Sequence, residues 1–336
     1  MPMRHGFPLP SWEREKKRTV CTQERGAALV TVLLAVTLLT VTVVEFAYST
    51  QVDHHLAYNA LKALQATYLA RSGVNLALLV LKRDTQTSGI DSFGEDWAHA
   101  LPPLPAGEGA VTLRVTDEQG KLNLNALRNA NGTISGPWRE VAERLFVLRG
   151  LDPGLLDPLL DWLDSDDFPE PRGAEKTHYL GLTPPQTPRN GPLLTLGELG
   201  RVAGFTPAIR TRLDDVVTVL PANNTKINAN TAPAEVLAAL FPTLDHETLE
   251  QFLSSRVNAP IHGSADLRER LGFAPRTQVD GLNFTVARSE FFSVHALATV
   301  TPVSQALKVV VQRRAATVTP ISWQPVMSVV PSGGAE

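Results

Sequence analysis

The sequence predicts an α+β protein: a long N-terminal helix, a small β-sheet head, and a large all-α insertion that interrupts the head. Three observations predict it. Residues 27–44 read AALVTVLLAVTLLTVTVV, without a charge, and no proline occurs between Ala27 and Arg83. Period-two alternation appears at Val111, Leu113 and Val115, and again over residues 291–300 and 306–312. Between those strand segments, over residues 126–275, the apolar spacing and capping residues are helical.

The apolar run is marginally long enough to span a bilayer, since a helix needs ~20 residues for ~30 Å of hydrocarbon. Arg14, Lys16, Lys17, Arg18 and Arg25 precede it. By the positive-inside rule they hold the N-terminus in the cytoplasm, with everything after Glu45 across the membrane. A secretory signal would be cut after the run, where only Ala47-x-Ser49 offers small residues. The other cut lies before it, between Gly26 and Ala27, where a charged leader (1–26) ends in glycine. An uncut signal anchor is the competing reading.

The transmembrane and stalk helix is expected over residues 27–83, ~85 Å at 1.5 Å per residue. Ala57, Leu61, Leu64 and Tyr68 follow a 4-3-4 spacing along one face. Asp53, His54, His55 and Lys62 fall on other faces and read as solvated. The head is expected from residues 84–125 and 276–317, with hairpins at 111–124, turning at 117–120, and at 291–312, turning at 301–304. In the insertion, helices are expected at 138–148 and 155–163. Thr195 with Glu198 suggests a capping box for a helix ending at Gly204. Thr206 before Pro207, Pro233 with Glu235, Asp245, and Ser264 open four more. Residues 165–192 carry six prolines and read as an extended surface loop, and 318–336 as a flexible tail. The paired asparagines Asn123/Asn125 and Asn228/Asn230 read as structural, bonding neighbouring backbone.

Composition excludes several classes. Thirty-one Lys and Arg against 34 Asp and Glu make no polybasic surface for nucleic acid. The single cysteine, Cys21, excludes an intrachain disulfide and a cysteine metal site. His246-Glu247-Thr248-Leu249-Glu250 lacks the second histidine of a zinc-protease helix, and neither a Gly-x-Ser-x-Gly elbow nor a phosphate loop is present. A non-enzymatic protein is therefore expected, with no catalytic residues. One acidic stretch stands out: Asp161, Asp164, Asp166 and Asp167, with Glu175 nearby. Calcium takes six to eight oxygens, which acidic loops supply. The competing reading is that these carboxylates cap or solvate a helix end, where the helix dipole disfavours acids.

Four segments, in order, resemble protein K of the type II secretion system. They are Gly120-Lys121-Leu122-Asn123-Leu124-Asn125-Ala126-Leu127; Leu160-Asp161-Trp162-Leu163-Asp164-Ser165-Asp166-Asp167; Leu196-Gly197-Glu198-Leu199 with Val202 and Gly204; and residues 227–237, INANTAPAEVL. The leader ending in glycine is similar to the signal of type IV pilins and pseudopilins. The resemblance implies a pilin-like head with a SAM-like or helix-hairpin-helix-like insertion. It implies a prepilin peptidase cutting after Gly26 and methylating Ala27, and a single-pass inner-membrane protein with a periplasmic head. As partners it implies I- and J-type minor pseudopilins and the major pseudopilin, at the tip of a pseudopilus that exports folded proteins across the outer membrane. It also implies calcium. Most pilin-like subunits carry Glu at the fifth mature position; here that residue is Thr31. A minor pilin of a type IV pilus, a DNA-uptake module and a membrane-anchored hydrolase are the other readings. The segment 227–240 also resembles the start of a DNA-binding helix-hairpin-helix. Its turn, residues 241–245, has no glycine for phosphate and carries Asp245 instead.

Overall fold

The structure is a computed structural model. It describes residues 11–99, 101–129, 131–274, 280–315 and 317–326, and the side chains of these apart from 11–25, 280 and 282. Helix α1 runs Ser11–Thr87. The chain divides into two compact units, Met1–Leu64 and Gln65–Glu336.

The first unit is helix among its described residues. One stretch of α1 is long and apolar enough to cross a membrane, and leucine and valine side chains from Leu29 to Val44 are exposed. The threonines among them satisfy their own hydroxyls. Thr31 Oγ1 donates to the Ala27 carbonyl at 2.8 Å, and Thr40 to Val36 at 2.8 Å. That arrangement suits a polar group in hydrocarbon, where no water accepts the proton. Lys62, expected in solvent, is only 8% exposed, with its Nζ 5.4 Å from the Tyr58 ring centroid.

In the second unit the elements follow as β1 (Leu104–Ala106), β2 (Gly109–Asp117), β3 (Leu122–Asn123), α2 (Gly136–Leu148), α3 (Leu156–Leu163), α4 (Lys176–Leu180) and α5 (Pro207–Leu213). Then come β4 (Val217–Thr218), β5 (Ile227–Asn228), α6 (Ala234–Leu240), α7 (His246–Ser255), α8 (Ser264–Arg270), α9 (Asp280–Asn283) and β6 (Thr285–Val286). Strands β7 (Phe291–Val300), β8 (Val303–Arg314) and β9 (Thr317–Val326) close the fold. An antiparallel sheet of order β1-β2-β7-β8-β9 forms the head. Strand β2 pairs with β7 across the whole insertion, Thr112 opposite Leu297. Ala66, Ala70, Val74, Ala77 and Leu81 are buried apolar residues of α1 here, and from Ala70 on they share a core with Val111, Leu113 and Phe292. Gly73 permits that approach: a Cβ there would lie 2.8 Å from side-chain carbons of both Val111 and Leu113. The 4-3-4 face at Leu61, Leu64 and Tyr68 is exposed. Periodicity marks two apolar faces on this helix, and only the one lined by small residues meets the sheet closely.

The hairpin at 291–312 forms as expected, but the one at 111–124 does not. Strand β2 ends at Asp117, whose carboxylate accepts from the Gln119 amide at 2.8 Å and starts a 3₁₀ turn. Strand β3 leaves the sheet to pair in parallel with β4, Leu122 opposite Val217. The sheet therefore draws on residues 104–117 and 291–326, and β3, expected in it, lies outside. The expected tail forms β9 up to Val326, with Pro320 and Pro325 in this edge strand. Residues 327–336 lie outside the described ones.

Among the described residues the insertion consists of short helices, loops and two two-residue parallel strand pairs, β3 with β4 and β5 with β6. These pairs mark two copies of one device, Lys121-Leu122-Asn123-Leu124-Asn125 and Lys226-Ile227-Asn228-Ala229-Asn230. In each, the first asparagine accepts from the amide of the second, at 3.2 and 3.0 Å. The second then clamps one distant residue through both its amide and its carbonyl. Asn125 holds Leu193 at 2.8 and 3.0 Å, and Asn230 holds Ile261 at 2.8 and 3.0 Å. A buried side-chain amide so satisfied replaces a strand neighbour. Caps at Thr206 and Asp245 form, each accepting from the amide three residues on. Thr195 makes no such bond; residues 196–201 are a 3₁₀ turn, and Glu198 accepts from the Leu194 amide. Ser264 lies inside α8, after Gly263.

Candidate metal centre

Helix α3 has no solvent face: every residue from Leu156 to Leu163 is buried. A carboxylate in it is therefore carried inside, and Asp161 is 1% exposed. Asp164 follows as the C-cap residue, in extended conformation and 7% exposed. The proline-rich loop is not wholly a surface loop. It contains α4, whose Tyr179 is fully buried and meets Trp162 edge-on, ring centroids 5.3 Å apart. The Tyr179 hydroxyl accepts from the Ala203 amide at 3.1 Å. This anchoring of α4 on α3 brings Glu175, the residue before α4 and 4% exposed, back onto the two aspartates.

One carboxylate oxygen from each of Asp161, Asp164 and Glu175 lies within 4.8 Å of the others. Their donors are few. Asp161 Oδ1 accepts from the Glu170 amide at 3.0 Å, and Asp164 Oδ2 from Arg128, in a close ion pair. Arg128 is itself held by the Leu160 carbonyl, at 3.1 and 3.2 Å. Asp161 Oδ2, Asp164 Oδ1 and both oxygens of Glu175 are buried and accept no hydrogen bond of ordinary geometry among the described residues, although the backbone amides of Ala174, Asp166 and Lys176 lie close enough to favour the ionised carboxylates slightly. Three buried carboxylates thus face one guanidinium. Burial pushes Asp161 up, repulsion from Glu170 adding to it. Burial also pushes Asp164 up to about 6, against the pull of Arg128 and with repulsion from Asp166 and Asp161. Burial, then Asp161 and Asp164, pushes Glu175 up to about 7. An all-oxygen, net-negative pocket with four uncommitted acceptors matches a hard cation and fits calcium in kind.

Asp166 and Asp167 are exposed and stand outside that group. Asp166 Oδ1 accepts from the Phe168 amide at 2.9 Å, a local turn bond. Two contributors escaped the sequence reading. Arg128 is far away in the chain and announces nothing by its neighbours. Gly173 is required by closeness, since a Cβ there would sit 1.8 Å from Asp161 Oδ2.

Comparison with known proteins bears on both halves of the insertion. Two family models, each described as type II secretion system (T2SS), protein K, match residues 120–222 and 227–287. Each span opens at one of the two asparagine-clamp copies. Type II secretion system protein K of Pseudomonas aeruginosa is 31% identical over 259 residues, covering 74% of this chain and 77% of that protein. The protein K of Aeromonas hydrophila is 28% identical over 301 residues, covering 83% and 90%. Among solved structures, a chain in the crystal structure of the GspK-GspI-GspJ complex from the enterotoxigenic Escherichia coli type 2 secretion system superposes with a TM-score of 0.72. That match is 20% identical and covers 81% of this chain and 99% of that one, a likeness of fold.

Proposed function

This chain belongs to the type II secretion system protein K family, and from that premise we propose that this minor pseudopilin is the single tip subunit of its pseudopilus. In this reading it is anchored in the inner membrane by α1, with its head in the periplasm. It nucleates assembly with two other minor pseudopilins, a reading supported by the similar solved chain, which stands in a complex of GspK, GspI and GspJ. Its role is structural rather than catalytic. Thr31 carries the tip placement. A carboxylate in the apolar run would cost ~2.5–3.5 kcal/mol on insertion scales and would demand a partner. In pilin-like subunits that partner is the N-terminal ammonium of the subunit ahead. Thr31 is uncharged and spends its hydroxyl on Ala27, so this chain needs no subunit ahead. Its own Ala27 ammonium remains able to neutralise the glutamate of the one behind. The insertion, residues 118–290, adds bulk that would obstruct stacking of repeated copies.

Two measurements test this. N-terminal mass spectrometry of membrane-extracted protein should find a chain starting at methylated Ala27; an intact leader, or a start near Thr50, refutes the pseudopilin processing. Site-specific crosslinkers near Ala27 should capture only subunits that follow, and finding the protein repeated along the shaft overturns the placement. Thr31→Glu should not improve assembly.

The same proposal includes calcium at Asp161, Asp164 and Glu175, supported by their four buried oxygens that accept no ordinary hydrogen bond. The sign of its pH dependence follows. Asp164 at about 6 and Glu175 at about 7 lie above their ordinary values of 3.8 and 4.5. Without metal, the stability they contribute is full below about pH 4 and is lost as pH rises through 6 and 7. Calcium takes the ionised forms, so its stabilising effect should be largest near pH 8 and fade towards pH 5, with protons released on binding in between. Melting curves across that range check this; a calcium effect as large near pH 5 as near pH 8 excludes the site.

A further inference from the structure

A second set of carboxylates lies away from that centre and shares no residue with it. Asp84 is in the last turn of α1; Asp91 and Glu95 are in the loop that follows. One oxygen from each lies within 4.8 Å of the others. Each carboxylate is oriented by donors on one of its oxygens. Arg313 Nη1 donates to Asp84 Oδ2 at 2.7 Å. The Ser289 amide donates to Asp91 Oδ2 at 2.7 Å, and Arg313 Nη2 also reaches that oxygen. The Ser92 amide and the Trp97 indole donate to Glu95 Oε2 at 3.2 and 2.8 Å. Asp91 is 0% exposed, yet its Oδ1 has no donor among the described residues.

We propose that Asp84, Asp91 and Glu95 form a second site for a calcium-like divalent cation, joining the end of α1 to the loop after it. Three carboxylates against the one guanidinium of Arg313 leave two negative charges, the charge of one such ion. Donors on one oxygen fix the position of each carboxylate, as outer-shell donors do for metal ligands, and the buried Asp91 Oδ1 is left as an acceptor without a donor among the described residues. Arg313 has the rigidity for that role, since its planar fork is 3% exposed, stacked 4.6 Å from the Phe292 centroid and bonded to the Ser289 carbonyl at 2.8 Å. Glu95 is only partly buried, which leaves a side through which the ion enters and waters complete its coordination. The cation would hold the 88–97 loop against α1 and β8, at the root of the sheet.

Terbium, a luminescent stand-in for calcium, tests this on the full chain in detergent. The indole of Trp97 is hydrogen-bonded to a proposed ligand, so tryptophan excitation should sensitise terbium bound there. Glu95→Gln, at a partly exposed position, should abolish one terbium-binding step or weaken it at least tenfold, and should lower bound calcium by one ion per chain. Glu175→Gln should leave that step unchanged while removing the other centre. Trp97→Phe should remove the sensitised emission of this step but keep its calcium stoichiometry. Near-ultraviolet circular dichroism checks that each variant is folded. Equal terbium and calcium binding in wild type and a folded Glu95→Gln would show that Arg313 alone completes the cluster and would overturn the proposal.

Discussion

Chelating calcium should lower the melting temperature of the full chain by about 5–10 °C near pH 8. An ion at a hundredfold excess over its Kd stabilises by ~2.7 kcal/mol, and a unit of this size melts ~2–4 °C lower per kcal/mol lost. The decisive comparison is Glu175→Gln, because the two readings of the Asp161, Asp164 and Glu175 cluster give opposite signs. In chelator the wild-type cluster is three buried acids facing Arg128, and neutralising Glu175 relieves repulsion. The variant should then melt at or above wild type. In calcium the variant loses a ligand charge and should melt several degrees below wild type. If the carboxylates only cap or brace the end of α3, Glu175→Gln should shift both curves alike. Identical wild-type curves with and without chelator would remove both proposed cation sites at once; a shift that survives in Glu175→Gln would be assigned to the Glu95 site.

Arg313→Met should cost about 3–5 kcal/mol, the usual consequence of leaving buried charge unpaired. Arg313 lies between Asp84 and Asp91, at 9% and 0% exposure, and also satisfies the Ser289 carbonyl. Methionine keeps much of the volume over Phe292 but supplies no donor. The urea midpoint, measured in chelator so that no cation substitutes for the guanidinium, should fall without a change in slope. Adding Asp91→Asn should recover part of the loss, since removing one buried charge offsets the missing partner. A single variant as stable as wild type would mean that the two aspartates are protonated in the folded state and need no cation. Burial does raise both, Asp84 to about 6 with Glu95 and Asp91 adding to it.

The candidate centre was half legible. Asp161, Asp164 and Glu175 stood out as oxygen donors, but nothing local separated them from Asp166 and Asp167. The separation comes from burial. Helix α3 is enclosed on every side, while the chain after Asp164 turns out to solvent, so neighbours in sequence differ completely in dielectric surroundings. Glu175 joins because Tyr179, three residues beyond Lys176, docks on Trp162, a contact that a proline count does not reveal. The second cluster was invisible, since Arg313 stands more than two hundred residues from Asp84.

By itself the sequence determined what depends on neighbours along the chain. The apolar run sets α1, since eighteen uncharged residues admit little else. Alternation sets β7 and β8, and Thr206 and Asp245 set helix starts through amides three residues away. Two of the four segments that carried the family resemblance hold the Asn-x-Asn pair, whose first bond is likewise local. Only the tertiary structure decided partners. Residues 111–115 and 122–124 both alternate on either side of a turn, yet β2 pairs with β7 and β3 with β4, because a two-residue strand has too little edge to choose its neighbour without a surrounding core. Likewise α1 offers apolar side chains on more than one face, and Gly73 with Ala70 and Ala77 wins the sheet by allowing the closest approach. Periodicity encodes that a face is apolar; which surface covers it depends on shape, and shape exists only after the chain has folded.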